Sequence, residues 1–181
     1  MADAATLAAI WYANAPDTAP HLAALVQASL RPLEHQPAAI ALRDFHAENL
    51  LWLPDRDGLQ QVGLLDYQDA GRGFIGYDLV SMIQDARRDV TPDVQAQVSA
   101  EFAQRVGFDP QAFEAQIAVL GAQRALRILG VFARLCILHG KPGYVGLIPR
   151  VWGQLQDNLR HPLNVDLAAW VAQNLPAPTP S

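Results

Sequence analysis

The chain has 181 residues, 51% of them hydrophobic and 17% charged, with a net charge of −5. That length and balance suit one globular domain with a sizeable core and exclude a disordered chain. The acidic balance and the lack of any basic run argue against a nucleic-acid partner held through phosphates, and the single Cys136 excludes a disulfide framework. Cys136 lies in an apolar run, where it reads as a small buried hydrophobe.

Met1–Ala15 has no basic stretch and only a short apolar run, so it does not read as a signal peptide. Leu7, Ile10 and Trp11 stand at helical spacing, and 14–20 is a linker. A helix is expected over 19–34, with Leu22, Leu25, Val26, Leu30 and Leu33 on one face. Pro37 breaks the chain before a strand-like 38–42. Two short apolar strands, 50–53 and 62–65, flank the polar turn 54–58 as a hairpin. A helix follows at 77–88, and Thr91-Pro92 opens another that ends near Gly107. Asp109-Pro110 opens the longest helix, to about His139, with a stripe of Ile117, Gly121, Ala125, Ile128, Phe132, Leu135 and Leu138. Gly121 and Ala125 are expected to admit a close neighbouring helix. Helices follow at 146–159 and 163–174, and the proline-bearing end is read as a frayed tail, 176–181. No continuous apolar run reaches the roughly 18 residues of a membrane span.

The informative stretch is 40–80. The hairpin strands adjoin two polar loops, Arg43-Asp44-Phe45-His46-Ala47-Glu48-Asn49 before the first and Asp66-Tyr67-Gln68-Asp69-Ala70-Gly71-Arg72-Gly73 after the second. A rigid hairpin can hold Asp44, Asn49 and Asp66 near one end. Two carboxylates and an amide oxygen suit a hard divalent cation, with one carboxylate left as a base. Asp44, His46, Asp66 and Asp69 could also be read as a hydrolase metal cluster. Such a site needs three or four convergent ligands, and the remaining histidines stand at helix ends or surface positions.

Asp44-x-x-x-x-Asn49 resembles the catalytic loop shared by protein kinases and aminoglycoside phosphotransferases, and Asp66 stands where those families carry a second metal-binding Asp. With Tyr77-Asp78-Leu79-Val80-Ser81 the match is closest to the aminoglycoside phosphotransferase-like kinases, in the branch that phosphorylates N-acetylmuramate and N-acetylglucosamine. The resemblance implies an α+β, mainly α fold: a protein-kinase-like carboxy-terminal lobe over 1–175, with a small antiparallel hairpin carrying the catalytic and metal loops. It implies Asp44 as general base, Asn49 and Asp66 on Mg2+, ATP as phosphoryl donor, and a sugar or amino-sugar hydroxyl as acceptor. Asp78 is implied to brace the catalytic loop, with Arg43 as structural support. His46 and Asp69 are open between substrate contact and ordering of their loops. A cytoplasmic setting, with no membrane and no nucleic acid, is expected.

Two departures stand out. The histidine that many members carry two residues before the Asp is Leu42 here, an apolar residue that can pack under the loop. More seriously, kinases of this kind need a nucleotide lobe ahead of the catalytic one, with a phosphate-covering loop and a strand lysine. Here no Gly precedes Gly58, and the sole lysine is Lys141, in a turn after the long helix. The chain therefore reads as a catalytic lobe without its nucleotide lobe, weak or inactive alone, and able to pair with a partner lobe or with itself. The alternative is a non-catalytic binding module derived from such a kinase.

Overall fold

The computed structural model describes residues 1–179. The chain is mainly helical, with two small two-stranded antiparallel sheets. It divides into two compact units: a helical unit of Met1–His35 with Asp109–Ser181, and a loop-bearing unit of Gln36–Phe108. Of the tail expected at 176–181, residues 180 and 181 lie outside the described residues.

In the helical unit, α1 (Ala2–Ala5) leads into a π-helical turn at Ala8–Tyr12, then α2 (Ala19–Leu30). The expected face of α2 is the buried one: Leu22, Val26, Leu30 and, beyond it, Leu33. The α-helix stops earlier than expected. Pro32 has no N–H to continue the ladder, and the chain tightens into a 3-10 turn at Arg31–Leu33.

The long helix α5 (Pro110–His139) begins where expected. Asp109 Oδ1 accepts from the Ala112 N–H at 2.8 Å, Pro110 occupies the first turn, and Gly140 closes the helix in the left-handed region. Its core face differs from the expected stripe. Leu138 is exposed and Ile117 and Ile128 are half-buried, whereas Phe113, Val119, Leu120, Leu126 and Leu129 are buried. The physical reason is that α5 packs along both α6 (Ile148–Leu159) and the Ala8–Tyr12 turn, so no single stripe describes it. Gly121 does admit a neighbour, since a methyl there would sit 2.5 Å from the Asn158 amide of α6. The other close approach is at Gly130, where a methyl would overlap the Leu7 backbone. Over part of its length α5 is apolar enough to pass for a membrane span by length and composition, although its polar residues interrupt any continuous apolar run; 67% of that stretch is buried within the chain. Cys136 is half-buried rather than buried, with Sγ 3.3 Å from the Lys141 carbonyl oxygen. α7 (Val165–Asn174) adds Leu167, Trp170 and Val171 to the core.

In the loop-bearing unit, β1 (Ala38–Ala41) pairs with β4 (Gly71–Phe74), and β2 (Leu50–Trp52) pairs with β3 (Val62–Leu64). The second pair is the expected hairpin, with strands one residue shorter and a 3-10 turn at Gly58–Gln61 in its connection. The polar loop expected over 66–73 is shorter than that, because its end forms β4 although Gly-Arg-Gly-Phe lacks strand propensity. Its glycine is needed: a Cβ at Gly73 would lie 2.8 Å from Ala41 Cβ in the partner strand. α3 (Tyr77–Ile83) ends five residues short of the expected Arg88. α4 (Pro92–Val106) has Thr91 at its cap and Gly107 in the left-handed region at its end.

Candidate functional site

The two sheets fix the ends of the two polar loops. β1 delivers the chain to Leu42, and β2 receives it at Leu50, so the Arg43–Asn49 loop spans from one sheet to the other. β3 delivers the chain to Leu65, and β4 receives it at Gly71, so the 66–70 loop does the same in reverse. The two loops therefore run between the same pair of sheets.

The first loop is wound by its own backbone. The Asp44 N–H donates to the Leu42 carbonyl at 3.0 Å, that of His46 to Asp44 at 3.1 Å, and that of Asn49 to His46 at 2.9 Å. A 3-10 turn at Ala47–Asn49 closes it. Arg43 has φ +73°, a left-handed conformation unusual for a side-chain-bearing residue. Asp78, in the first turn of α3, meets that strained point. Its two carboxylate oxygens accept from the N–H groups of Leu42 at 2.7 Å and Arg43 at 3.0 Å. The Arg43 guanidinium reaches Gly71, where a methyl would lie 3.2 Å from Nη2.

Asn49 joins the two loops. Its Nδ2 donates to the Asp44 backbone oxygen at 2.9 Å and lies 3.4 Å from His46 Nε2, while its own backbone oxygen accepts from the Leu65 N–H at 2.9 Å. Asp66 follows Leu65 directly, at φ +56°, the second side-chain-bearing residue of this unit in the left-handed region. Asp66 Oδ1 accepts from Gln68 Nε2 at 2.6 Å. So Asp44 and Asn49 are tied within one loop, and Asn49 is tied to the residue preceding Asp66.

The side-chain oxygens are less committed than the backbone. With its nitrogen engaged, Asn49 Oδ1 is left as an open acceptor. The half-buried Asp44 carboxylate accepts no hydrogen bond from a described group, nor does Asp66 Oδ2. His46 Nδ1 is buried without a partner, while its other nitrogen faces Asn49. Asp69 is exposed in a turn closed by the Ala70 N–H to the Tyr67 carbonyl, and its carboxylate holds no described group. Two further residues, which the sequence reading passed over, act on the loops: Gln68 on Asp66, and Glu48, whose carboxylate pairs with Arg87 at 3.1 Å. Gln68 is two residues from Asp66 and could have been noticed as a local partner. Glu48 and Arg87 are 39 positions apart, with no spacing signal to join them.

Among the described residues no group of three or more His, Cys, Asp or Glu side chains could hold a metal ion. The donors at this end of the hairpin are instead one amide oxygen and one carboxylate. Both are hard oxygen ligands, too few to enclose an ion. That set fits magnesium, which commonly takes one or two protein oxygens and completes its shell with phosphate oxygens and water. It does not fit a closed zinc site.

The two loops thus carry an Asp and an Asn five residues apart and an Asp just after the returning strand. The chain belongs to the phosphotransferase enzyme family, whose model matches residues 2–115. It is 44% identical over 138 residues to an N-acetylmuramate/N-acetylglucosamine kinase of Caulobacter vibrioides, covering 76% of this chain and 38% of that protein. It is 30% identical over 149 residues to a kinase of the same description from Pseudomonas putida (76% and 42% covered), and 35% identical over 138 residues to one from Neisseria meningitidis (72% and 40%). The chain thus spans about two fifths of the length of these relatives.

Proposed function

We propose that the loop-bearing unit is the catalytic end of an ATP-dependent small-molecule kinase, the part of a carboxy-terminal lobe that transfers a phosphoryl group to a hydroxyl of an amino sugar. The observation that carries this is the coupling at Asn49. Its side-chain nitrogen ties it to Asp44 within the first loop and its backbone oxygen ties it to Leu65 at the start of the second, while Asn49 Oδ1, Asp66 Oδ2 and the Asp44 carboxylate stay open.

In this reading Asp44 accepts the proton of the acceptor hydroxyl as that oxygen attacks the terminal phosphorus of ATP and the bond to the ADP oxygen breaks. Asn49 and Asp66 hold magnesium, which when bound neutralises charge on the phosphates. Asp78 fixes the strained start of the loop, so that Asp44 is positioned before substrate arrives, and Arg43 supports the loop against the start of β4. His46 contacts substrate or orders the loop through Asn49; the burial of its Nδ1 and the 3.4 Å approach of its Nε2 to Asn49 favour ordering. Asp69 contacts substrate hydroxyls or orders its loop, and its exposure supports the first. The relatives' descriptions support N-acetylmuramate or N-acetylglucosamine as the acceptor, and use of ATP favours the cytoplasm.

Within these 181 residues the sole lysine, Lys141, follows the loops instead of preceding them, and no glycine-rich cover stands ahead of Asp44. Removing one preorganised electrostatic donor commonly costs on the order of 10²–10³ in rate, so the chain alone is a feeble kinase. The hairpin supports a second reading, a surface for a partner lobe or another copy. Register puts Leu50, Trp52, Val62 and Leu64 on one face, and Trp52 is 67% exposed and Leu59 93%. Exposed apolar surface of this kind marks an interaction site.

Titration of the chain with magnesium-ATP, followed by NMR, tests the proposal. Weak, magnesium-dependent binding is expected to shift residues 43–49 and 66, to be lost in Asp66→Ala and to persist in Asp44→Asn. Binding that ignores magnesium or survives Asp66→Ala contradicts it. A turnover near about 1–10³ per second, the common enzyme range, from the chain alone would contradict the feeble-kinase part.

A further inference from the structure

We infer that the ion pair between Glu48 and Arg87 is a positioning device for Asn49, and that the α3 segment holds the 42–49 loop at both ends. The inference rests on the phosphoryl-transfer reading for its purpose, but not for its geometry.

The start of the loop is held by Asp78, at the beginning of α3, through the Leu42 and Arg43 N–H groups. The end of the loop is the single 3-10 turn Ala47–Asn49, which has no side-chain cap. A lone turn of this kind, with one or two backbone bonds, is weakly held by itself. Glu48 is its middle residue, and Glu48 Oε2 lies 3.1 Å from Arg87 Nε. Arg87 is itself anchored: it lies four residues past the end of α3, and its backbone N–H donates to Oδ1 of the buried Asp85 at 2.8 Å. The two grips, Asp78 and Arg87, are thus nine positions apart on one short, anchored stretch of chain. Between them lie Asp44 and Asn49.

The consequence falls on Asn49, the residue after Glu48. Its N–H, its side-chain Nδ2 and its backbone oxygen are all engaged, respectively with His46, Asp44 and Leu65. Those three bonds keep their geometry only while the turn stays wound. Glu48 and Arg87 make no bond to Asp44, Asn49 or Asp66, so they are positioning residues and do not themselves touch substrate. Arg87 is about one-third exposed and Glu48 about half, so the pair is a trim on the turn and not a pillar of the fold.

Amide hydrogen exchange on the 181-residue chain tests this without nucleotide. In Arg87→Ala and in Glu48→Gln, the N–H groups of His46 and Asn49 are expected to exchange about threefold faster, the size of a partly exposed ion pair. The Leu42 and Arg43 N–H groups, held by Asp78, and those of α4 are expected to keep their rates. The Asn49 side-chain amide resonances should shift towards those of a free amide in both variants. The charge-exchanged double variant, Glu48→Arg with Arg87→Glu, should recover the parent rates, and Arg87→Lys should recover them in part. Unchanged exchange at Asn49, a rise spread evenly over the loop-bearing unit, or failure of the exchanged pair to recover the parent rates overturns the inference. If this pattern holds while magnesium-ATP fails to bind, the functional reading fails and the positioning role stands.

Discussion

The two units differ in how far they bury their apolar side chains. The helical unit hides many of its large ones: Leu22, Val26, Leu120, Leu126, Leu129, Val151 and Leu155 are all essentially inaccessible. The loop-bearing unit leaves many in solvent, with Ile40, Trp52, Leu59, Leu64 and Tyr67 among its exposed residues. The helical unit is therefore held by burial, which is non-directional and strong. The candidate site is held by short directional bonds, Asp78 to two N–H groups, Asn49 to Asp44 and to Leu65, Gln68 to Asp66. Such bonds fix direction better than they add stability. They suit a site in which two side-chain-bearing residues, Arg43 and Asp66, hold left-handed conformations that cost energy.

The difference predicts a ladder of effects. The largest is in the helical unit. Leu126→Ala is expected to cost about 3 kcal/mol of unfolding free energy, as cavity-forming substitutions at inaccessible leucines do, measured by urea denaturation. A cost below about 1 kcal/mol would show that α5 is less well packed than its burial implies. Next comes Gly73→Val. With 2.8 Å between the new Cβ and that of Ala41, overpacking is expected to cost about 1–3 kcal/mol and to separate β1 from β4. Cross-strand amide contacts by NMR would read that loss, and their survival would break the argument.

Asp78→Ala comes third. Two N–H groups lose their acceptor, and each unsatisfied donor costs on the order of 1 kcal/mol where it is shielded from water. Partial exposure of the Arg43 end lowers the total. The sharper readout is local: exchange of the Leu42 and Arg43 amides should accelerate far more than that of α4. Smallest is Trp52→Ser, expected to change stability by no more than about 0.5 kcal/mol, as exposed positions do. It should, however, reduce self-association in sedimentation at high protein concentration. Undiminished association would remove the hairpin face as the contact.

Much of this architecture was legible in the residues, for physical reasons that can be named. Thr91-Pro92 with Gly107, and Asp109-Pro110 with Gly140, are strong start and stop signals because they meet the bonding needs of helix ends locally. The β2–β3 hairpin was readable because two apolar runs flank an Asp-Arg-Asp-Gly turn. What escaped depends on contacts between distant segments. β4 exists because Ala38–Ala41 supplies a partner, and its glycines serve that approach while hiding its strand character. The core face of α5 is set by α6 and the Ala8–Tyr12 turn together, which no single period encodes. At the site, the spacing of Asp44 and Asn49 and the place of Asp66 after a strand could be read. The Asn49 link to Leu65 and the Glu48–Arg87 pair could not, since both depend on how the loops return.

The most direct test asks where a divalent cation goes. Manganese, added in small amounts to the isotopically labelled chain in place of magnesium, broadens NMR signals near its binding site. The account predicts broadening centred on Asn49 and Asp66, extending to Asp44, strengthened by ATP and abolished in Asp66→Ala, with the helical unit untouched. Broadening centred on the Asp55–Asp57 turn or on the helical unit, with Asn49 and Asp66 left sharp in the presence of ATP, would contradict it.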